Sequence, residues 1–200
     1  MEDDDSIKAL YRLVESEYGK VDTLINNAGA AFDTEVTRGS MTIREAWDKA
    51  YSLNTTSTRV MTMNFAPLLL KSSDPRLIFI ASGVASLEKH YNQRSPMDQS
   101  PPKGWPKETL SLFGGYRCSK TGMNMLMREW PRILHSDGVK VWAVAPGLLA
   151  TGLAGAGPEP LKKKGAAEPS VGALVVLGVI EGERDADVGK AVDRNGVQPW

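Results

Sequence analysis

Val21-Asp22-Thr23-Leu24-Ile25 runs directly into Asn26-Asn27-Ala28-Gly29, a short apolar stretch that stops at two asparagines, a small residue and a glycine. A run of that length, closed by turn-forming residues, predicts a β-strand over Val21 to Ile25 that opens onto a loop. The pattern recurs downstream: Arg76 to Ala81 ends at Ser82-Gly83, and Val139 to Ala145 ends at Pro146-Gly147. Gly189 to Asp193 is a shorter fourth candidate. Between these strands the apolar residues move to helical spacing. Strands alternating with helices predict an α/β fold, a parallel sheet covered by helices on both faces in the doubly wound manner, with ligands at the carboxyl ends of the strands. Asn26 to Gly29, Ser82 and Pro146-Gly147 each follow a strand directly, so three separate segments converge on one rim.

The helices are marked by their apolar stripes and ends. Ile7, Leu10, Tyr11, Val14 and Tyr18 share one face, with Asp5 or Ser6 placed to cap the start and Gly19 to end it. Thr42-Ile43-Arg44-Glu45 has the form of a capping box, predicting a helix to about Tyr51, and a second helix runs from Thr55 to about Leu70. Pro67 is expected to bend or shorten it. A long helix is expected from about Gly114 to His135, kinked or broken at Pro131, and another from Ser170, as its cap, to Ile180. His90 to Pro106 reads as a surface loop and Gly152 to Gly165 as a mobile one, a candidate lid.

With 200 residues, 42% hydrophobic and 24% charged, the chain has enough material for a single globular domain over 1–200 with a sizeable core. Its 24 basic and 24 acidic residues balance, leaving no excess charge to drive binding to nucleic acid or a membrane surface. Small molecules or protein are the expected partners. One cysteine, Cys118, permits no internal disulfide and suits a reducing compartment. Met1-Glu2-Asp3-Asp4-Asp5 is acidic and leads into no apolar stretch, unlike a secretory signal or transit peptide, which makes cytoplasmic location the expectation. The longest apolar stretch, Val171 to Ile180, is about half the length of a membrane span.

Tyr116-Arg117-Cys118-Ser119-Lys120 sets a phenol and an ammonium one helical turn apart on the same face. A cation there favours the ionised phenol, which otherwise titrates near ~10, whereas burial acts against it; the expectation is that the cation outweighs desolvation. That is proton-transfer chemistry. Tyr-x-x-x-Lys alone arises by chance about 0.3 times in a chain of this composition, Asn-Asn-Ala-Gly only about two times in a thousand. Each segment also has a plain structural reading. Gly29 could supply a positive φ to a turn, Ser82 could cap the segment after it, and Pro146-Gly147 could be an ordinary strand exit. Their joint order weighs against those readings. His90 and His135 have no cysteine or carboxylate at ligand spacing, so they read as surface histidines and no metal is implied. Met61, Met63, Met123, Met125 and Met127 read as adaptable packing on two long helices, and Lys162-Lys163-Lys164 as solvated charge at a loop end.

In order and content these segments resemble the short-chain dehydrogenase/reductase family over essentially the whole chain, most closely its fungal carbonyl-reductase-like members. The resemblance implies a Rossmann-like fold and an oxidoreductase that reduces a small or medium ketone or aldehyde, or oxidises an alcohol in reverse, with NADP as cofactor and NAD as the alternative. It also suggests a place in fungal secondary metabolism. On this reading Tyr116 is the acid and base, Ser82 orients the substrate oxygen, Lys120 supports Tyr116, and Asn54 holds a water linking Lys120 to solvent. Asn26, Asn27, Ala28 and Gly29 would lie along the cofactor, Tyr116 and Lys120 against the nicotinamide ribose, and Pro146, Gly147, Leu148 and Thr151 around the nicotinamide. The helices over 55–70 and 114–135 would build the face of a homo-oligomer, or of a pairing with a relative.

Two features depart from the family pattern. Serine and tyrosine are commonly separated by about a dozen positions, and the interval from Ser82 to Tyr116 is far longer, so His90 to Ser111 reads as an insertion bordering the substrate mouth. No Gly-x-x-x-Gly-x-Gly precedes Asn26, and Gly152 to Gly157 is not expected to open onto a helix. The expectation is an N-terminally truncated domain whose first strands and glycine-rich loop are absent, with Val21 to Ile25 left as an apolar edge. Three accounts stand open: a short gene model of a complete enzyme, a shortened protein of weak or no activity, or a non-catalytic remnant that binds or regulates a full-length relative. The intact set of Asn54, Ser82, Tyr116 and Lys120 favours the enzyme.

Overall fold

A computed structural model describes residues 2–93, 95–107, 113–155 and 157–200. The elements follow in the order α1 (Asp4–Tyr18), β1 (Thr23–Asn26), α2 (Asp33–Thr37), α3 (Ile43–Tyr51), α4 (Ser57–Leu69), β2 (Arg76–Ile80), α5 (Leu87–Tyr91), α6 (Gly114–Ile133), β3 (Lys140–Val144), α7 (Pro158–Lys163), α8 (Pro169–Ile180), β4 (Ala191–Asp193) and β5 (Gly196–Gln198). The sheet has the order β1-β2-β3-β4-β5, parallel through β4 and closed by an antiparallel β5. This is the expected α/β, Rossmann-like arrangement.

Successive strand residues face opposite sides of a sheet, and here both sides are covered. Leu77, Phe79, Val141, Ala143 and Ala191 meet Met123, Met127 and Trp130 of α6 on one face. On the other, Ile78, Trp142, Val144 and Val192 meet Val175, Val176, Val179 and Ile180 of α8. Ile7 of α1 packs with Phe65 and Leu68 of α4 in a third cluster. At the amino ends of the strands, Arg76 bonds Asp74, Asp185 and the Val179 carbonyl, and Lys140 joins the same carboxylates. The Arg76 guanidinium, helped by Lys140, holds the Asp185 carboxyl down at about 2. That rim is structural. Register pairs Asn26 with Phe79 and Ile80 with Val144, so the opposite ends of β1, β2 and β3 are level and their exit loops share one rim.

Several local expectations are corrected. Asp3, not Asp5 or Ser6, caps α1, accepting from Asp5 N at 3.1 Å, while Gly19 ends it with φ 71° as expected. The break expected between helices at Tyr51 and Thr55 is instead a π-helical segment, Ser52–Thr56, that joins α3 to α4. Ser57 Oγ donates to the Ser52 carbonyl at 2.8 Å across the widened turn. Neither Pro67 nor Pro131 ends its helix, because α4 runs to Leu69 and α6 to Ile133. Glu168 and Pro169, rather than Ser170, begin α8. The loop expected over His90 to Pro106 begins inside α5 and holds a short 3₁₀ turn, Pro96–Asp98, and residues 108–111 of the expected insertion lie outside the described residues. The glycine-rich stretch after Gly152 does open onto a helix, α7, and Lys162 there pairs with Glu168 at 2.8 Å. The methionines divide: Met123 and Met127 are buried, whereas Met63 and Met125 are exposed. No helix among the described residues is long and apolar enough to cross a membrane.

Candidate active site

The first side of the site is the loop after β1. Asn26 is buried and its Nδ2 donates to Thr62 Oγ1 on α4 at 3.0 Å, tying the strand end to the helix beside it. Asn27, Ala28 and Gly29 are exposed. The φ of Gly29 lies outside the left-handed region, so the turn does not require glycine on that ground. Proximity does: a Cβ there would sit 2.8 Å from Asn54 Oδ1 and 3.2 Å from Lys120 Nζ. The loop backbone is therefore pressed against Asn54 and Lys120 while the residues on it stay open to solvent.

Asn54 sits within the π-helical segment and is fully buried. Its Oδ1 accepts from Ala30 N at 3.0 Å, and its Nδ2 donates to the Ala30 carbonyl at 2.9 Å and to Ser119 Oγ at 2.9 Å. Thr55 Oγ1 adds a bond to the Ser119 carbonyl at 2.8 Å. A π-bulge shifts the helical phase by a residue, and here adjacent Asn54 and Thr55 both reach α6.

Ser82 stands at the end of β2, before a 3₁₀ turn over Gly83–Ala85, with its hydroxyl beside the Tyr116 phenol. Burial pushes that phenol above its ordinary value, and the Ser82 hydroxyl pulls the other way. Lys120 is buried too, and its Nζ donates to the Ile80 carbonyl at 2.7 Å. Burial lowers its pKa to about 8. The expected dominance of the cation over desolvation is thus not realised. Both groups are desolvated together, the ammonium is directed at a strand carbonyl, and the phenol stays protonated further up the pH scale.

The third side follows β3. Gly147 has φ 94°, and the chain beyond it is pinned where Ala150 N donates to the Ala167 carbonyl at 2.8 Å and Ala167 N to the Leu148 carbonyl at 3.0 Å. Leu148 is exposed and Thr151 half-buried. The structure thus brings Gly29, Asn54 and Lys120 into contact, sets Ser82 beside Tyr116, and sets Pro146, Gly147, Leu148 and Thr151 on the same rim.

Two contributors escape sequence reasoning. Asp33 is buried, and its two carboxylate oxygens accept from Gly115 N at 2.7 Å and Tyr116 N at 3.1 Å. A helix leaves its first N–H groups unpaired, and α6 is preceded by Phe113, which makes no side-chain cap. That missing cap was the available signal. Ser119 is the other, a buried hydroxyl whose neighbours are all distant in sequence or on its own helix turn.

The donor set suits the ribose end of a nicotinamide nucleotide. Lys120 carries three N–H donors, of which Ile80 takes one and Met123 Sδ, at 3.9 Å, makes a weak second contact. Its Nζ borders the glycine whose missing Cβ leaves room along an exposed backbone. Lys120, Tyr116 and the Asn27–Gly29 backbone would hold the ribose hydroxyls, and Pro146 to Leu148 would flank the ring.

The family model for short chain dehydrogenase matches residues 1–95, a span that includes Asn26 to Gly29, Asn54 and Ser82. The chain is 45% identical over 205 residues to the short-chain dehydrogenase/reductase eupG of Phoma sp, covering 98% of this chain and 73% of that protein. It is 43% identical over 204 residues to the short-chain dehydrogenase/reductase tropE of Talaromyces stipitatus, with 99% and 73% covered. Among solved structures, the NADPH-bound carbonyl reductase from chicken fatty liver superposes with a TM-score of 0.70 at 24% identity, covering 100% of this chain and 74% of that one.

Proposed function

The chain belongs to the short-chain dehydrogenase/reductase family, and from that premise we propose that it reduces the carbonyl of a small or medium ketone or aldehyde with NADPH, Tyr116 giving the proton. The observation that carries this reading is the Ser82 hydroxyl placed beside the Tyr116 phenol, on the rim where Lys120 and Gly29 meet. When bound, the reduced nicotinamide supplies a hydride to the carbonyl carbon.

The protein's own residues do the rest. Ser82 Oγ, beside the phenol, donates to a substrate oxygen and holds it against Tyr116. As negative charge grows on that oxygen, Tyr116 Oη releases its proton to it. A phenol raised by burial is protonated at neutral pH, the form that donates to a nascent alkoxide. Lys120 presents its free N–H groups to the ribose and steadies the phenolate left after transfer. Asn54 fixes the loop that carries Gly29.

NADPH is proposed over NADH from the likeness to carbonyl-reductase-like members, and a role in fungal secondary metabolism belongs to the same proposal. So does self-association through α4 and α6, where Met63 and Met125 are exposed.

The test is turnover of a panel of ketones and aldehydes with NADPH or NADH, followed by loss of reduced-nicotinamide absorbance. Tyr116→Phe keeps the ring and deletes the proton, so turnover should fall ~10² to 10⁴-fold with cofactor affinity within a few-fold. A Phe variant as active as the wild type would sink the assignment.

A further inference from the structure

Arg117, the residue after the tyrosine, is engaged on two sides. Its Nε donates to the Val84 carbonyl at 3.0 Å, inside the 3₁₀ turn that follows Ser82. Its Nη2 donates to Asp98 Oδ1 at 2.6 Å and lies 3.0 Å from His90 Nδ1. Asp98 Oδ1 also bonds His90 Nδ1 at 2.8 Å, and Oδ2 accepts from Ser95 N at 3.2 Å. The carboxylate is almost wholly enclosed, with a side-chain exposure of 3%, and Arg117 retains 17%. An exposed ion pair contributes little, but breaking an enclosed one from one side leaves a charge uncompensated. Burial raises the Asp98 pKa, yet its His90 and Arg117 partners hold it below the ordinary carboxylate value.

We propose that Arg117 and Asp98 form a clamp in which Arg117 positions the Ser82 turn against Tyr116, and Asp98 fastens the segment between Leu87 and Ser100 as one wall of the substrate mouth. The inference rests on the carbonyl-reductase reading of the site. Three pieces far apart in sequence meet at one guanidinium: the tyrosine-bearing helix, the serine-bearing turn and the segment between them. Thr121 Oγ1, one helical turn on, makes a second bond to that turn at the Ala85 carbonyl, 2.9 Å away, so the turn is held at two points on α6. The fastened segment is concave. Leu87, His90, Tyr91, Met97 and Asp98 border an open hollow of about 490 Å³.

The two hands of Arg117 separate in kinetics. Asp98→Asn loosens the wall while Arg117 still holds Val84, so KM for the carbonyl should rise roughly tenfold with kcat within about twofold. Arg117→Met also removes one of the two ties on the Ser82 turn, leaving only Thr121, so kcat should fall roughly tenfold. Neither should change NADPH affinity more than about twofold, because neither touches the proposed cofactor residues. Arg117→Lys, which keeps the charge but not the fork, should recover little of the loss. Amide hydrogen exchange on the same proteins should quicken over 95–98 in Asp98→Asn, and over both 83–86 and 95–98 in Arg117→Met. Equal falls in kcat for both variants, an unchanged KM in Asp98→Asn, or unaltered exchange would overturn the clamp while the wild type stays active. A wild type that turns over nothing, and behaves as Tyr116→Phe does, removes the reading beneath it.

Discussion

Asn54 grips both backbone groups of Ala30, accepting from its N–H at 3.0 Å and donating to its carbonyl at 2.9 Å. The same amide nitrogen reaches Ser119 Oγ at 2.9 Å, one residue before Lys120. A single buried side chain thus locks the loop after β1 to the helix that carries Tyr116. The lock depends on the π-helical segment, which turns Asn54 toward the loop and Thr55 toward the Ser119 carbonyl at once.

Asn54→Leu should therefore be costly out of proportion to its size. It strands the Ala30 N–H and carbonyl, at about 1–3 kcal/mol for each group left unsatisfied, while the Ser119 hydroxyl keeps its bond to the Tyr116 carbonyl. Denaturant unfolding should register a loss of at least that order. Asn54→Asp keeps the acceptor for Ala30 N but loses both donations, so it should also be destabilised. A leucine variant within about 0.5 kcal/mol of wild type would mean that the loop finds other partners.

Gly29→Ala tests the close approach rather than the backbone. The new methyl would enter 2.8 Å from Asn54 Oδ1 and 3.2 Å from Lys120 Nζ, and Asn54 cannot retreat without releasing Ala30. Overpacking of this kind costs about 1–3 kcal/mol, and NADPH affinity should fall because the exposed loop backbone shifts with it. Fluorescence titration beside thermal unfolding separates the two effects.

How much of this was legible depended on the range of each interaction. β1, β2 and β3 announce themselves locally, because a strand buried on both faces reads as a continuous apolar run that ends where the loop begins. The convergence of Asn26, Ser82 and Pro146 follows from parallel pairing alone. The π-helical segment at Asn54 has no comparable mark, since nothing between Ser52 and Thr56 differs in composition from an ordinary helix end. Gly29 was legible as a special position, but for the wrong reason: the close contacts are with Asn54 and Lys120, twenty-five and ninety-one positions away. The direction of the Tyr116 shift was missed because spacing puts a cation on the same face without saying that both groups are buried and that Ile80 takes the ammonium.

Asp33 caps α6 across the fold, accepting from Gly115 N at 2.7 Å and Tyr116 N at 3.1 Å. Asp33→Ala removes both acceptors from a helix with no local cap and should cost about 1–2 kcal/mol. Asp33→Asn keeps one oxygen and should cost less. Because Tyr116 lies in the first turn, kcat should fall in the alanine variant beyond what its unfolded fraction explains. Activity that merely tracks the folded fraction would confine Asp33 to stability.

Lys120 carries the clearest pH signature. Burial lowers its folded-state pKa from 10.5 to about 8, so between those values the unfolded chain binds the proton more readily than the native one. Where the unfolded state holds more protons, stability rises with pH. The penalty for a buried ammonium is thus fully present below about 8 and is relieved as pH climbs toward 10.5. A shift of that size corresponds to about 3 kcal/mol at neutral pH, reduced in practice by the bond Lys120 makes to Ile80. Lys120→Met removes the charge and strands that carbonyl. The variant should therefore gain stability relative to wild type at neutral pH, by less than the full figure, and the advantage should shrink steadily above about pH 8. Taking the difference between the two proteins cancels every other titrating group they share. Thermal unfolding of both across that range is the measurement, and a difference that stays flat with pH would mean that Lys120 is not desolvated in the folded protein.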